Sequence, residues 1–291
     1  MNGFTDIHSH GGGGYSFSDP NPENISKAIA THRAHGTTTQ IASLVTEPLE
    51  VLAAQIKNLL PFIADKSLAG IHLEGPYLAE SKCGAHDPKL LRLPKLDEIR
   101  ELVEIGQGQI KMVTIAPELP GAIAAIEYLR GVGVTVAIGH SDATEIEAIR
   151  GIEAGASVVT HMFNGMPALD HRQGTITNAV LVNPDIYFEI ILDGVHLNRS
   201  AVELLLKIAP DRIILVTDAM AAAGGADGEY KIGELDVRVS DGVATLASNG
   251  SLAGSTLTMD SAYNRLLQEF NVSPTVAKSA AIDLGKRALG L

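Results

Sequence analysis

The sequence has a single cysteine, Cys83, and no tryptophan. One cysteine excludes an internal disulfide and fits a reducing compartment. Basic residues are also scarce, because 22 lysines and arginines stand against 34 aspartates and glutamates, for a net charge of −12. This balance argues against a continuous basic face for nucleic acid, although a local basic pocket for a small anion stays open. No apolar run reaches the roughly 18 residues of a membrane span and no signal-like region precedes the first strand, so we expect a cytoplasmic protein.

Aliphatic residues and glycines are abundant instead, since 45% of the chain is hydrophobic and 29 residues are glycines. Short apolar runs end near residues 7, 42, 73, 115, 138, 160, 192 and 217, and helical patterns lie between them. This alternation predicts an α/β protein, a (β/α)8 TIM barrel with its active site at the C-terminal strand ends. The alternative, a doubly wound open sheet, would gather its ligand at one switch point. Chemically distinctive residues follow six of the eight runs, which favours the barrel.

The pattern changes after the eighth strand. Residues 229–247 alternate apolar and polar side chains around Asp241-Gly242, which predicts a small β-hairpin. Two helices are predicted beyond it, at about 256–269 and 273–289. With no repeat or linker in view, we expect one catalytic barrel domain over residues 1–291.

The most distinctive feature is where six histidines and two acidic residues stand. Each lies in or just after an apolar run: His8, His10, His72, Glu74, His140, His161, His196 and Asp218. Histidine nitrogen and carboxylate oxygen are ligands of zinc-type catalytic metals, and such sites keep one position open for water. The pattern therefore predicts a metallohydrolase.

His8 and His10 are two residues apart on a strand and should face the same side, so both can enter the barrel mouth. We expect them to permit a second metal beside a first one. His72 is predicted to be a hydrogen-bonded support beneath the mouth rather than a ligand. His32 and His35, near a helix end, are expected to face solvent.

His140 and His161 are expected to bind one metal together with Glu74. The alternative is that they are two histidines buried in the core without a metal. Asp218 is the best candidate for proton transfer, because a carboxylate must take the proton of the attacking water. Its alternative is a helix N-cap, for which aspartate is favoured.

Eight short strings of the chain occur in the order of one known family. They are His8-Ser-His-Gly-Gly-Gly-Gly14, His72-Leu-Glu-Gly-Pro-Tyr77, Thr114-Ile-Ala-Pro-Glu118, Gly139-His-Ser-Asp-Ala143, Thr160-His-Met-Phe-Asn-Gly-Met-Pro167, Asp193-Gly-Val-His196, Thr217-Asp-Ala-Met220 and Leu252-Ala-Gly-Ser-Thr-Leu-Thr-Met259. Together they resemble the N-acetylglucosamine-6-phosphate deacetylase family of the amidohydrolase superfamily, and the resemblance runs from Gly3 to Leu291.

The resemblance implies deacetylation of N-acetylglucosamine 6-phosphate in amino-sugar catabolism. It implies Glu74, His140 and His161 as primary metal ligands, His8 and His10 as ligands of a second metal, and Asp218 as catalytic acid and base. The cofactor would be one or two divalent ions, zinc first, with iron, manganese or cobalt as alternatives. The implied substrate contacts are Ala85, His86, Asn164, Gly165, Arg172, Asp193, His196, Leu252, Ala253 and Gly254.

Three of these residues receive specific expectations. Arg172 suits a phosphate because its planar guanidinium can donate two parallel hydrogen bonds. His86 is expected to be a second local cation. His196 is expected to be catalytic by polarising the acetyl carbonyl. The alternatives are a deacetylase of the galactosamine epimer, another amidohydrolase, and an inactive sugar-phosphate-binding protein.

Members of that family usually carry further segments before the first strand and after the last helix, which form a small β-domain. Without them, we expect apolar side chains such as Phe4, Val276, Ala280 and Leu284 to lie uncovered. The chain would then be a homodimer or prone to aggregation.

Overall fold

The computed structural model describes residues 3–291. In chain order it begins with β1 (Phe4–Asp6), β2 (Gly11–Gly12), β3 (Tyr15–Ser16), α1 (Pro22–Ala34), β4 (Thr37–Leu44), α2 (Leu49–Ala64), β5 (Gly70–Glu74), α3 (Leu96–Ile105), β6 (Ile110–Ile115), α4 (Ala122–Gly131), β7 (Thr135–Ile138), α5 (Glu145–Ala154), β8 (Ala156–Val159), α6 (Ile176–Val182), β9 (Tyr187–Ile191), α7 (Arg199–Ile208) and β10 (Ile213–Val216). It continues with β11 (Gly228–Ile232), β12 (Leu235–Ser240), β13 (Val243–Leu246), α8 (Met259–Phe270), α9 (Pro274–Lys278), a π-helical segment (Ser279–Asp283) and α10 (Leu284–Leu289).

Eight parallel strands form one sheet in the order β1-β4-β5-β6-β7-β8-β9-β10. Its two edge strands meet just beyond their ends, where the Asp218 N–H donates to the His8 carbonyl (2.8 Å) and the His10 N–H donates to the Ala219 carbonyl (2.7 Å). These bonds nearly close the sheet. The predicted barrel is confirmed, and the open-sheet alternative is wrong because an open sheet leaves its edge strands apart. Within residues 3–291 no helix is long and apolar enough to cross a bilayer.

Local sequence explains several element boundaries. The Asn21 side chain caps α1 by accepting from the Glu23 N–H, and Pro22 supplies a helical φ at the first position. Thr144 and Glu147 form a reciprocal capping box at the start of α5. The strand β10 is buried along its whole length, because a barrel strand packs on helices outside and on the core inside.

The three strands β11, β12 and β13 form a separate antiparallel sheet. The predicted turn at Asp241-Gly242 joins β12 and β13, where Ser240 pairs with Val243. The predicted hairpin is confirmed, and the structure adds β11 to it. Val237 on this sheet packs with Met220 in a small apolar cluster beside the barrel mouth.

The apolar surface expected beside the first strand and the final helices is largely covered by the chain itself. Ala280 and Leu284 are each 1% exposed, and Phe4 packs against Tyr263 with ring centroids 5.3 Å apart. The expectation that they lie uncovered is wrong, because the π-helical segment and α10 pack against β1 and β10. A Cβ at Gly285 would lie 3.1 Å from Ile7, so glycine lets this helix approach β1 closely.

His32 is also not where the sequence placed it. It is 1% exposed, and its Nε2 lies 2.8 Å from the Gly11 carbonyl oxygen. The expectation of a solvent-facing side chain is wrong, because His32 lies on the inner face of α1 and supports the glycine turn after β1. His35 is half-exposed and pairs with Asp260 at 3.1 Å.

Candidate active site

Six side chains meet at the C-terminal mouth of the barrel, each at or just beyond a strand end. Glu74 ends β5, His8 and His10 follow β1, and His140, His161 and Asp218 follow β7, β8 and β10. All six are buried. Parallel barrel strands end at the same rim, which is why residues up to 210 positions apart in sequence, as between His8 and Asp218 (218 − 8), become neighbours.

The first cluster consists of Glu74, His140 and His161. Glu74 Oε1 lies 3.1 Å from His140 Nε2 and 3.2 Å from His161 Nε2. The two Nε2 atoms are 2.9 Å apart. The predicted one-metal set therefore lies together in space, and the alternative of two unrelated core histidines does not describe this arrangement.

The second cluster consists of His8, His10, Glu74 and Asp218. Asp218 Oδ1 lies 3.3 Å from the Nε2 atoms of both His8 and His10. Glu74 Oε2 lies 3.2 Å from His10 Nε2, while Oε1 faces His8 Nε2 at 3.4 Å. Glu74 thus belongs to both clusters. Asp218 begins no helix, so the N-cap alternative for it is wrong.

The donor chemistry of both clusters fits a cation. In the first cluster, His140 Nδ1 lies 2.8 Å from the Lys82 carbonyl and His161 Nδ1 lies 3.2 Å from the Asn164 carbonyl. A carbonyl only accepts, so each Nδ1 carries a proton, and in the neutral ring each Nε2 presents a bare lone pair. Two lone pairs 2.9 Å apart beside a carboxylate repel unless a positive charge lies among them.

The spacings agree with this interpretation. A tetrahedral ion with bonds of about 2.0 to 2.1 Å separates its ligand atoms by about 3.3 to 3.4 Å. The distances between facing donor atoms here run from 2.9 to 3.4 Å. The buried His, Glu and Asp cluster is therefore suited to a divalent metal.

The backbone at these strand ends is unusual. His140, His161 and Asp218 have φ values of +46°, +29° and +47°. Residues with side chains seldom adopt this left-handed region, and such strain concentrates at functional sites. The strain turns each side chain inward, directly after its strand.

Electrostatics keep the carboxylates of the site ionised. Burial alone would raise the pKa of Asp218, but His8 and His10 lower it to about 2. Burial would likewise raise the pKa of Glu74, while His8 and the hydrogen bonds from His10 and His140 hold it well below its usual value. Both acids are therefore acceptors at neutral pH.

Above the clusters lies a cavity of about 340 Å³. Of the substrate contacts implied by the sequence, it is lined by Ala85, His86, Asn164, Gly165, His196, Leu252 and Gly254. Gly84, Ile232 and Ser251 also line it and were not predicted. Ile232 comes from β11, so the extra sheet forms part of the wall.

Three implied contact residues do not line the cavity. Ala253 is fully buried behind it. Asp193 instead holds His196, whose Nδ1 lies 2.7 Å from Asp193 Oδ2. Arg172 is exposed in the loop before α6, where its backbone N–H donates to Asp170.

His86 does line the cavity, but the expectation that it is a cation is wrong. His86 Nδ1 lies 3.2 Å from the Thr46 backbone nitrogen and 2.9 Å from the Thr46 hydroxyl oxygen, and these contacts fix the orientation of the ring. Burial lowers the pKa of His86 to about 4. The ring is therefore neutral and offers a single N–H.

Two buried residues support the clusters from below. His72 is held between Ser43 (2.9 Å) and Thr114 (2.9 Å), which agrees with its expected supporting position. Glu189 on β9 is fully buried and faces His8, with Oε2 3.0 Å from Nδ1. Sequence reasoning missed Glu189, although a lone acid inside the apolar run Tyr187-Phe-Glu-Ile-Ile191 was an available signal.

The amidohydrolase family matches residues 1–278. The chain belongs to the amidohydrolase family. Within it, the chain is 36% identical to an N-acetylgalactosamine-6-phosphate deacetylase of Escherichia coli O157:H7, covering 99% of this chain and 77% of that one. It is 34% identical to an N-acetylglucosamine-6-phosphate deacetylase of Vibrio furnissii, covering 89% of this chain and 66% of that one.

Solved structures give the same family assignment. A mutant N-acetyl-D-glucosamine-6-phosphate deacetylase of Mycobacterium smegmatis, in complex with N-acetyl-D-glucosamine-6-phosphate, is 41% identical and matches with a TM-score of 0.97 over 100% of this chain and 78% of that one. An N-acetylglucosamine-6-phosphate deacetylase of Thermotoga maritima is 35% identical, with a TM-score of 0.93 over 100% of this chain and 78% of that one. The resemblance seen in the sequence strings is confirmed.

Proposed function

We propose that this amidohydrolase hydrolyses the acetamide of N-acetyl-D-glucosamine 6-phosphate to D-glucosamine 6-phosphate and acetate. The observation that carries the proposal is the pair of clusters sharing Glu74 at the floor of a cavity of about 340 Å³. That volume lies within the range of small-molecule sites. The deacetylase relatives described above support the substrate class.

Glu74, His140 and His161 would hold one divalent ion, and His8, His10, Glu74 and Asp218 a second. When bound, such an ion polarises the amide carbonyl and lowers the pKa of water. Nitrogen and oxygen ligands at nearly tetrahedral spacing favour zinc, with iron, manganese and cobalt as alternatives.

Asp218 is the proposed proton carrier. Its carboxylate lines the cavity and is ionised at neutral pH, so it accepts a proton from the attacking water as the new C–O bond forms. It then gives that proton to the amide nitrogen as the C–N bond breaks. One water is consumed and an amine and acetate leave, which balances the reaction.

His196 is the proposed donor to the carbonyl oxygen. Burial would lower its pKa, but the hydrogen bond with Asp193 raises it. Nδ1–H donates to Asp193, and the raised pKa favours the imidazolium form, in which Nε2 also carries a proton that it can donate to the substrate. An N–H aimed at the developing oxyanion stabilises the transition state.

The deciding experiment is acetate release from N-acetylglucosamine 6-phosphate by zinc-loaded protein. The galactosamine epimer is assayed in parallel, because a relative at 36% identity bears that name. Binding of either sugar phosphate without acetate release would instead support the inactive binding protein.

The number of metals gives a first prediction. Wild-type protein should bind two equivalents of zinc, and the His8→Gln/His10→Asn double variant should retain one through Glu74, His140 and His161. Elemental analysis after equilibration with excess zinc measures both. At most one equivalent in wild type would contradict the two-metal arrangement.

The phosphate gives a second prediction. Arg172→Ala should reduce kcat/KM about tenfold or more for the 6-phosphate and little for unphosphorylated N-acetylglucosamine, since only the former loses a charge-assisted contact. Because Arg172 lies outside the cavity lining, its loop must approach the bound phosphate. Arg150→Ala, an exposed arginine on α5, is the matched control. Equal losses of kcat/KM for both sugars would mean that Arg172 has a structural role and does not bind the phosphate.

A homodimer and a cytoplasmic location are also proposed. Exposed apolar residues on neighbouring helices support the first, with Ile146 on α5 65% exposed and Val182 on α6 76% exposed. A phosphorylated substrate, which does not cross membranes freely, supports the second. Light scattering and cell fractionation test them.

A further inference from the structure

The two histidines of the second cluster are held differently. His8 Nδ1 lies 3.0 Å from Glu189 Oε2. His10 Nδ1 is buried and has no hydrogen-bond partner among the described residues. Of these two rings, only His8 has its proton position fixed by a neighbouring group.

The tautomer of His8 follows from this contact. A carboxylate oxygen accepts, so a proton sits on His8 Nδ1, and in the neutral ring that binds a metal Nε2 presents its lone pair. That lone pair points between Glu74 and Asp218, at 3.4 and 3.3 Å. The other tautomer would place an N–H where a cation must bind.

Glu189 also touches the first cluster. The same Oε2 atom accepts from the backbone N–H of His161 at 3.2 Å. His161 is one of the residues with positive φ, and this bond fixes its peptide. One oxygen therefore orients a ligand of each cluster.

The position of Glu189 is costly for the fold. Its side chain is 0% exposed, and Oε1 has no partner among the described residues. Burying a carboxylate that is incompletely hydrogen-bonded opposes folding unless positive charge lies nearby. His8 is the side chain that faces it, and a cation on His8 Nε2 would supply that charge through the ring.

We propose that Glu189 is a positioning residue for the second metal: it holds His8 as the Nδ1–H tautomer and raises the basicity of Nε2. This rests on the proposed function only in taking the His8, His10, Glu74 and Asp218 cluster as a metal site. Carboxylates behind metal-binding histidines act in this way, and their loss typically weakens metal binding about 10- to 100-fold.

The test compares zinc titrations of metal-stripped full-length chains. Glu189→Leu removes both acceptor and charge, so the second equivalent should bind about 10- to 100-fold more weakly. Glu189→Gln keeps an acceptor and loses the charge, so it should weaken binding of the second equivalent measurably but less than Glu189→Leu does. The affinity for the first zinc equivalent should change less in both variants. Ile190→Ala is the matched control, because the next residue on β9 faces the opposite side and is fully buried.

Ile190→Ala should lower Tm and leave the affinities for both zinc equivalents unchanged. This control separates a loss of stability from a loss of positioning. NMR of isotope-labelled histidine should show Nδ1–H for His8 in wild type. An Nε2–H tautomer of His8 would overturn the proposal, and so would an unchanged affinity for the second zinc equivalent in Glu189→Gln. If Glu189→Leu does not fold, the Glu189→Gln variant alone decides. Wild type that binds two equivalents and does not turn over would reject the deacetylase function instead.

Discussion

Asp218→Asn should lower kcat by at least about 10²-fold while substrate still binds. The amide has the shape of the carboxylate but cannot accept the proton of the attacking water. Because Asp218 Oδ1 is 3.3 Å from His8 and His10, the variant can also weaken the second metal. Steady-state kinetics with metal analysis on the same preparation separates the two effects, since the Glu74, His140 and His161 ion should stay.

Glu118→Gln is the matched control for that variant. Glu118 is another partly buried acid beyond a strand end, accepting from Ser141 at 2.7 Å, and it does not line the cavity. Its amide should leave kcat within a few-fold of wild type. Near-normal turnover in Asp218→Asn would place the proton carrier elsewhere, with His196 as the next candidate.

The barrel was predictable because its strands and caps are local signals. The run ending near residue 73 became β5, which ends at Glu74, and the local pair Asn21-Pro22 marks the start of α1. Buried parallel strands are apolar on both faces, so they stand out even without alternation. The π-helical segment at Ser279–Asp283 was not predictable, because its shape depends on the strands that it packs against, β1 and β10.

The metal-binding side chains were predictable for a similar reason. A barrel places the residues after its strands at one rim, so His140, His161 and Asp218 could be grouped before any geometry was known. Residues whose state depends on a tertiary neighbour were missed. The neutral form of His86 depends on its burial, and the position of Glu189 on β9 depends on His8, which follows β1.

Glu74→Gln should have the largest effect, a fall in kcat of at least about 10³-fold with loss of both metals. Glu74 is the one residue common to the two clusters, and an amide presents only one oxygen and no charge to them. Without the ion, the pKa of water returns from about 7 to its far higher bulk value, and little hydroxide forms at neutral pH. Elemental analysis and acetate release measure the two losses.

Chelation of the wild type provides the control for Glu74→Gln. Chelated wild type should lose turnover and regain it with added zinc, whereas Glu74→Gln should stay inactive at the same zinc concentration. The His8→Gln/His10→Asn variant, which keeps Glu74, should retain one metal throughout. A Glu74→Gln protein that binds two equivalents and turns over substrate would show that the clusters do not depend on their shared carboxylate, and the two-metal arrangement would then be wrong.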